Sequence, residues 1–477
     1  MTGFVPPKPQ PLSDKPGVIA RIRGSMGSSL ALFQPGSYTS LGVSRFSIPT
    51  APRLVRRWLY TARDPALVRD MLVNRPADFP KSVMMGAMLK SLTGDSIFTT
   101  NGEVWQRQRR LIDPALEAAR VKASFDSMRD AADAALIDLD QRRAQGPVVL
   151  ADEAMTHFAA DVIFRTIFSE PLQPRVAKKA FAAFETFQNL AYAHGMIRLS
   201  RLPTALFPGA LPGVMAGARL RRLINQPLKR RLAEVKAGAP PRNDILGTLL
   251  ATRDPDTGRG FTPRELLDQI TMLFLAGHET SASAIAWALY LLAADPEVQD
   301  RVRAEVDAAA GDGPLEFHHL RRLAFTRDVF REGMRLYPPV AFVARDTTRA
   351  ECLGDRKVEP GAVVFIAAWL LHRNAALWDQ PDVFDPDRFA RPETKEAARC
   401  AYMPFSMGPR VCPGAAFALQ EGTLVLAMIV RRFRLGLADG PPPQPFAKLT
   451  LRSATGIRLT LQPVDTAQAG STTTADP

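Results

Sequence analysis

"PFSMGPRVCPG", residues 404–414, holds Cys412, one of only three cysteines among 477 residues. Gly408 permits a tight turn with positive φ, and Pro409 stiffens it. After Pro413-Gly414 the chain continues as "AAFALQEGTLVLAMIV", a strong helix pattern. The sulfur is therefore expected at a helix start, among unpaired N–H groups that favour a thiolate. The alternative is an inert buried thiol, the ordinary state of a free cysteine. Cys352 and Cys400 have no such setting and take that alternative.

Outward from this loop, composition sets limits. With 46% apolar residues the chain can bury a large core. Three separated cysteines without a CxxC pair exclude a disulfide framework and argue against zinc ribbons or iron–sulfur ligation. A reducing cytoplasm fits them best. The start, "MTGFVPPKPQPLSDKPG", lacks the apolar core of a signal peptide, and the longest apolar run, "AIAWALYLLAA" (284–294), is too short to span a bilayer. The formal charge is +13, without a nucleic-acid-binding module or aromatic interleaving. That pattern argues against nucleic acid and for an acidic protein partner.

The expected fold class is mainly α with small β-sheets. Residues 1–30 read as an irregular lead-in, 31–464 as a single domain, and 465–477 as a disordered tail. Helices are expected at 101–144, 151–169, 176–196, 219–237, 262–294, 296–309, 324–336 and 414–432. Strand-like content falls at 56–62, 363–369 and 456–464. The helix from Thr262 to Ala294 is about 50 Å long at 1.5 Å per residue, with Pro263 at a natural first-turn position. Its second half is apolar nearly all round, so it should be central and buried. Its middle nonetheless carries Gly277, His278, Glu279 and Thr280. A packing glycine and a threonine bonded to its i−4 carbonyl is one reading; a functional groove is the other.

Two further pieces are weak alone. Glu332 and Arg335 lie three apart on one helix face, as ordinary ion pairs do. Trp105 and Arg109, four apart, could grip a carboxylate or simply face solvent.

Taken together the set resembles the cytochrome P450 family of haem-thiolate monooxygenases, of the bacterial type, over nearly the whole chain. The cysteine-loop pattern Phe-x-x-Gly-x-Arg-x-Cys-x-Gly is met by Phe405, Gly408, Arg410, Cys412 and Gly414. The central-helix pattern is met by Ala276, Gly277, Glu279 and Thr280. Glu332, Arg335 and Arg388 (in "FDPDRF") match the family's ion-pair triad, and Trp105 with Arg109 its Trp-x-x-x-Arg. Leu116 stands where the family often has phenylalanine, and His278 at a variable position.

The resemblance implies a haem b buried between the central helix and the cysteine-loop helix, with Cys412 as iron ligand. Phe405 would shield the sulfur, and Gly408 and Gly414 would let backbone approach the porphyrin. Trp105, Arg109, Arg410 and Arg345 would hold the propionates. Glu332, Arg335 and Arg388 would be structural. Ala276 and Gly277 would leave room for dioxygen, with Glu279 and Thr280 delivering protons. The family's substrate regions imply Met84, Met85, Met88, Met272, Leu273, Ala276, Val340, Phe342 and Ala454, together with the 185–198 stretch, as contacts for a lipophilic molecule such as a fatty acid or terpenoid. Electrons would come from an acidic ferredoxin with its reductase, docking near Arg107 and Arg110. The 199–236 segment reads as a mobile lid or as a peripheral membrane contact. A peroxide-driven or rearranging relative, and a non-catalytic haem sensor, are the competing functions.

Overall fold

The computed structural model describes residues 3–9, 28–33, 35–50, 55–199 and 210–464; the expected tail at 465–477 and most of the lead-in lie outside them. A 32-residue helix, Pro263–Ala294, organises the rest. It starts where Thr262 Oγ1 accepts from the Glu265 N–H and the Thr262 N–H donates to the Glu265 carboxylate at 2.8 Å. This reciprocal cap satisfies two of the orphan donors at a helix start. Nearly every residue from Leu266 to Ala293 is buried, as the all-round apolar pattern requires.

Around this central helix pack the helices Ala151–Phe168, Ala324–Leu336 and Ala415–Arg432, the last being the cysteine helix. Gly277 sets one approach: a Cβ there would stand 2.8 Å from Ile163 Cγ1 on the Ala151–Phe168 helix. Further along, Trp287 stacks on Tyr337 with ring centroids 3.9 Å apart. The expected helix at 101–144 is broken into Gly102–Ile112, Ala118–Ala123 and Phe125–Gln145. Pro114, in the intervening turn Asp113–Ala115, explains the break: it donates no N–H and clashes with a preceding carbonyl. Pro174–Leu199 and Ala210–Lys236 flank residues 200–209, so that part of the lid or membrane expectation lies outside the described residues. Among the described residues no helix is long and apolar enough to cross a membrane.

Strands β1 (Val43–Thr50) and β2 (Val55–Ala62) pair antiparallel. β3 (Val149–Leu150) belongs to another sheet, and β4 (Val343–Asp346) joins theirs through β7 (Val363–Ile366), in the order β1-β2-β7-β4. β5 (Glu351–Leu353) and β6 (Arg356–Val358) form a hairpin. β8 (Phe433–Leu437), β9 (Pro445–Ala447), β10 (Leu451–Ser453) and β11 (Arg458–Pro463) follow the cysteine helix. β3-β11-β8 is a second sheet, and β9-β10 a hairpin whose tip meets the central helix. The contact is Ser283 Oγ donating to the Leu451 carbonyl at 2.5 Å. The expected strand at 363–369 stops at Ile366 and turns into the short helix Ala368–Leu371. Part of the lead-in docks instead of trailing: the Phe384 N–H donates to the Phe4 carbonyl, and Tyr337 Oη to the Pro7 carbonyl at 2.7 Å.

Candidate active site

The cysteine loop is shaped by Gly408. Its φ is +73°, and a Cβ there would fall 2.0 Å from the Leu72 carbonyl oxygen in the short π-helix Asp70–Asn74. Only glycine satisfies both conditions. The loop closes with the Cys412 N–H donating to the Phe405 carbonyl at 2.9 Å, and the cysteine helix begins just beyond Gly414.

Cys412 Sγ opens onto a cavity of about 380 Å³, while protein envelops it on its other sides. Burial pushes its thiol up, and the Gly414 N–H and Arg109 only partly oppose this. The Gly414 N–H at the helix start lowers the thiol, as its position there predicts, by less than burial raises it. Cys400 is half-buried and donates to Glu396, which raises its thiol, and Cys352 is exposed, so neither is the buried thiol expected of it.

Phe405, Gly414, Trp105 and Arg109 line the same cavity, as do Arg345 and Arg410. Arg109 donates to the Val411 carbonyl at 2.8 Å and to Asp113 at 2.5 Å. Arg410 stacks 4.2 Å over the Trp105 ring and donates to Asn101. A residue overlooked in the sequence completes the group: Lys81, also on the cavity wall, bonds the Ile97 carbonyl. Burial and the neighbouring Arg410, Arg345 and Arg109 depress its ammonium to about 6. Burial, with Arg410 adding to it, lowers Arg345 to about 10, and burial alone lowers Arg410 to about 10. Arg345 Nε and Arg410 Nη1 are buried without a hydrogen-bond partner. Cations gathered this way, repelling one another with donors unmet, fit the two carboxylates of a haem beside a single thiolate ligand.

Across the cavity Ala276, Gly277, Glu279 and Thr280 form the central-helix wall. Thr280 Oγ1 donates to the Ala276 carbonyl at 2.7 Å. Glu279 is buried and accepts from Arg452, whose Nε lies at 3.1 Å, and from Thr450 Oγ1 at 3.1 Å. Burial raises this carboxyl, but Arg452 and the adjacent His278 outweigh it and hold it below the usual range. His278 Nδ1 meets the Phe274 carbonyl at 2.8 Å within a cage of Phe181, Phe184 and Phe274.

Met84, Met85, Met88, Met272, Leu273, Val340 and Phe342 also line the cavity. Ala454 does not: it is exposed beyond the β9-β10 hairpin, whose tip presents Lys448, Leu449 and Thr450 instead. Of the 185–198 stretch, the side chains from 192 on lie outside those described. Arg107 and Arg110 are not free docking cations. Arg107 pairs with Glu265 at 2.7 Å, and Arg110 with Asp254 and Asp256 at 2.7 and 2.8 Å.

Beneath the site, Glu332 Oε2 accepts from Arg335 Nε at 2.8 Å and Oε1 from Arg388 Nε at 2.9 Å, with all three side chains buried. Arg335 also donates to the carbonyls of His372 and Pro381, both at 2.7 Å. Burial drives His372 down to about 3, so its ring is neutral. Its Nε2 accepts from the Met403 N–H at 2.8 Å, tying the triad to the segment that enters the cysteine loop.

Residues 54–460 match the family model described as Cytochrome P450. The chain is 34% identical over 419 residues to "Cyclooctatin synthase" of Streptomyces melanosporofaciens, covering 86% of this chain and 88% of that one. It is 33% identical over 381 residues to "Cyclooctat-9-en-7-ol 5-monooxygenase" of the same organism, covering 80% and 81%. With "Pentalenene oxygenase" of Streptomyces avermitilis it shares 28% over 402 residues, 84% of this chain and 87% of that one. Among solved structures, the cytochrome P450DA heme domain superposes with a TM-score of 0.77 at 25% identity, covering 88% of this chain and 90% of that one.

Proposed function

Since the chain belongs to the cytochrome P450 family and is a monooxygenase, we propose that it holds haem b through Cys412 and oxidises a terpenoid, using dioxygen and electrons from a separate redox partner. One observation carries this reading: a thiol, a cation cluster with two buried donors unmet and an alcohol-bearing helix wall share one apolar cavity. When bound, haem supplies a thiolate-ligated iron that activates dioxygen for insertion of one oxygen atom into a C–H bond.

The chain's residues prepare the rest. Cys412 gives up a proton that burial makes costly to lose, and Gly414 N–H and Arg109 stabilise the resulting charge. Arg109, Arg345, Arg410 and Lys81 would hold the two propionates, whose negative charge would offset the repulsion among these cations. The apolar wall excludes bulk water. Thr280 keeps its hydroxyl on the cavity side of the central helix, anchored to Ala276. Glu279 is a proton carrier held in reserve. Arg452, whose side chain is 32% exposed, can swing toward solvent and free the carboxylate to pass protons to Thr280.

The terpenoid class is supported by the names of relatives that act on cyclooctat-9-en-7-ol and pentalenene. The net charge of +13 supports an acidic ferredoxin as donor. Arg107 and Arg110 are each paired with acidic residues, which weakens the case for them as docking cations. The test is the spectrum of the reduced, carbon monoxide-bound protein. A strongly red-shifted Soret band that disappears in Cys412→Ser supports thiolate ligation; an unshifted band in the parent protein refutes it. Turnover driven by NADH with ferredoxin and reductase, but not by peroxide alone, separates this reading from the peroxide-driven one.

A further inference from the structure

The polar groups on the cavity wall are sorted by position. Among the described residues, the wall's buried side-chain atoms that lack a partner are Arg345 Nε, Arg410 Nη1 and Ser406 Oγ. All three belong to β4 or the cysteine loop, where the cofactor's carboxylates and iron ligand are held. On the substrate side, polar side chains are engaged within the protein. Thr450 Oγ1 donates to Glu279 and accepts from Gln188 at 3.1 Å. Lys448 Nζ donates to Asn189 at 2.7 Å. Ser281 Oγ donates to Glu421 at 2.6 Å, and Thr280 to its own helix. The remaining side chains there are apolar, as with Met88, Phe98, Ile163, Met272 and Leu449.

We propose, building on the terpenoid reading, that this site accepts a cyclic hydrocarbon bearing no oxygen. The enzyme then performs the first oxidation after a cyclisation that ends in a hydrocarbon, and not a later tailoring step. One atom of dioxygen enters a C–H bond to give an alcohol. The other leaves as water with two protons and two electrons from the redox partner. A hydroxyl already on the substrate would leave water for a largely apolar wall whose few polar side chains are already bonded within the protein, which weakens its binding. A pocket of this kind rejects an added hydroxyl by about 10–100-fold.

The test titrates the haem-loaded enzyme with a cyclic diterpene hydrocarbon and a cyclic sesquiterpene hydrocarbon, each paired with its mono-alcohol, and follows the substrate-induced spin shift. Each hydrocarbon binding at least tenfold more tightly than its alcohol supports the proposal. Reconstituted turnover should then accumulate the mono-alcohol, with under about a tenth going on to diol. Alcohols binding as tightly as hydrocarbons, or diol as the main product, would overturn it while leaving the terpenoid reading intact. Spin shifts from a fatty-acid panel but from neither terpene series would overturn both.

Discussion

Glu421 lies wholly buried on the cysteine helix, where Ser281 Oγ of the central helix donates to it at 2.6 Å. Burial pushes its carboxyl up to about 8, and Ser281 offsets only part of that. In the unfolded chain the same group titrates near its ordinary value of 4.5. Between those two values the folded state holds a proton that the unfolded state has lost. The group's contribution is therefore fully present below about 4.5 and is lost progressively as pH rises to about 8, where it levels off. At about 1.36 kcal/mol per pH unit, the change from pH 5 to pH 8 is at most about 4 kcal/mol. The unfolding entropy of a 477-residue chain is on the order of 1 kcal/mol per kelvin, so this corresponds to about 4 °C in Tm. Glu421→Gln keeps the shape and the acceptor for Ser281 but cannot titrate. The assay is differential scanning calorimetry of both haem-loaded proteins at pH 5, 6, 7 and 8, at one scan rate. Taking the difference removes every other titrating group. The variant's Tm minus that of the parent should climb by up to about 4 °C across the range. Parallel curves would show that Glu421 is ionised in the fold and that the reasoning from burial is wrong.

Three other expectations concern the frame and the chemistry. Glu332→Ala leaves Arg335 and Arg388 buried without their carboxylate, a loss of about 3–5 kcal/mol; haem per protein should fall sharply, and normal loading would contradict the role. Gly408→Ala forces a Cβ to 2.0 Å from the Leu72 carbonyl at a φ of +73°. It should cost about 3 kcal/mol or more, read as lost yield and a lost red-shifted band; a parent-like Tm would refute the contact. Thr280→Ala should keep consuming NADH while releasing more hydrogen peroxide per product formed, and unchanged coupling would remove Thr280 from proton delivery.

What could be read from the chain was what neighbouring residues determine locally. The cysteine loop is legible because its turn glycine, its arginine and its thiol are consecutive, and the central helix because its cap and apolar pattern are continuous. Pro114 breaks the expected 101–144 helix, and its position inside a strongly helical pattern was the available signal. Lys81 was hidden for a different reason. A lone lysine gains meaning only when β4, the helix Gly102–Ile112 and the cysteine loop converge on it. Arg107 and Arg110 misled in the opposite direction: their acidic partners, Glu265 and Asp254, are over a hundred positions away. Ala454 was misplaced because the hairpin's tip, not its far side, meets the cavity. Glu421 carries no local signal, since nothing near it in the chain names Ser281 as its partner.

The cation cradle draws Lys81, Arg109, Arg345 and Arg410 from points spread across most of the chain. No fragment of the protein can assemble it alone. A group bound there ties distant segments to one another, so its binding free energy adds to the stability of the whole fold. Losing the cofactor should then lower the stability of the native topology, and the colour of a crude lysate reports how much of the protein is both folded and loaded.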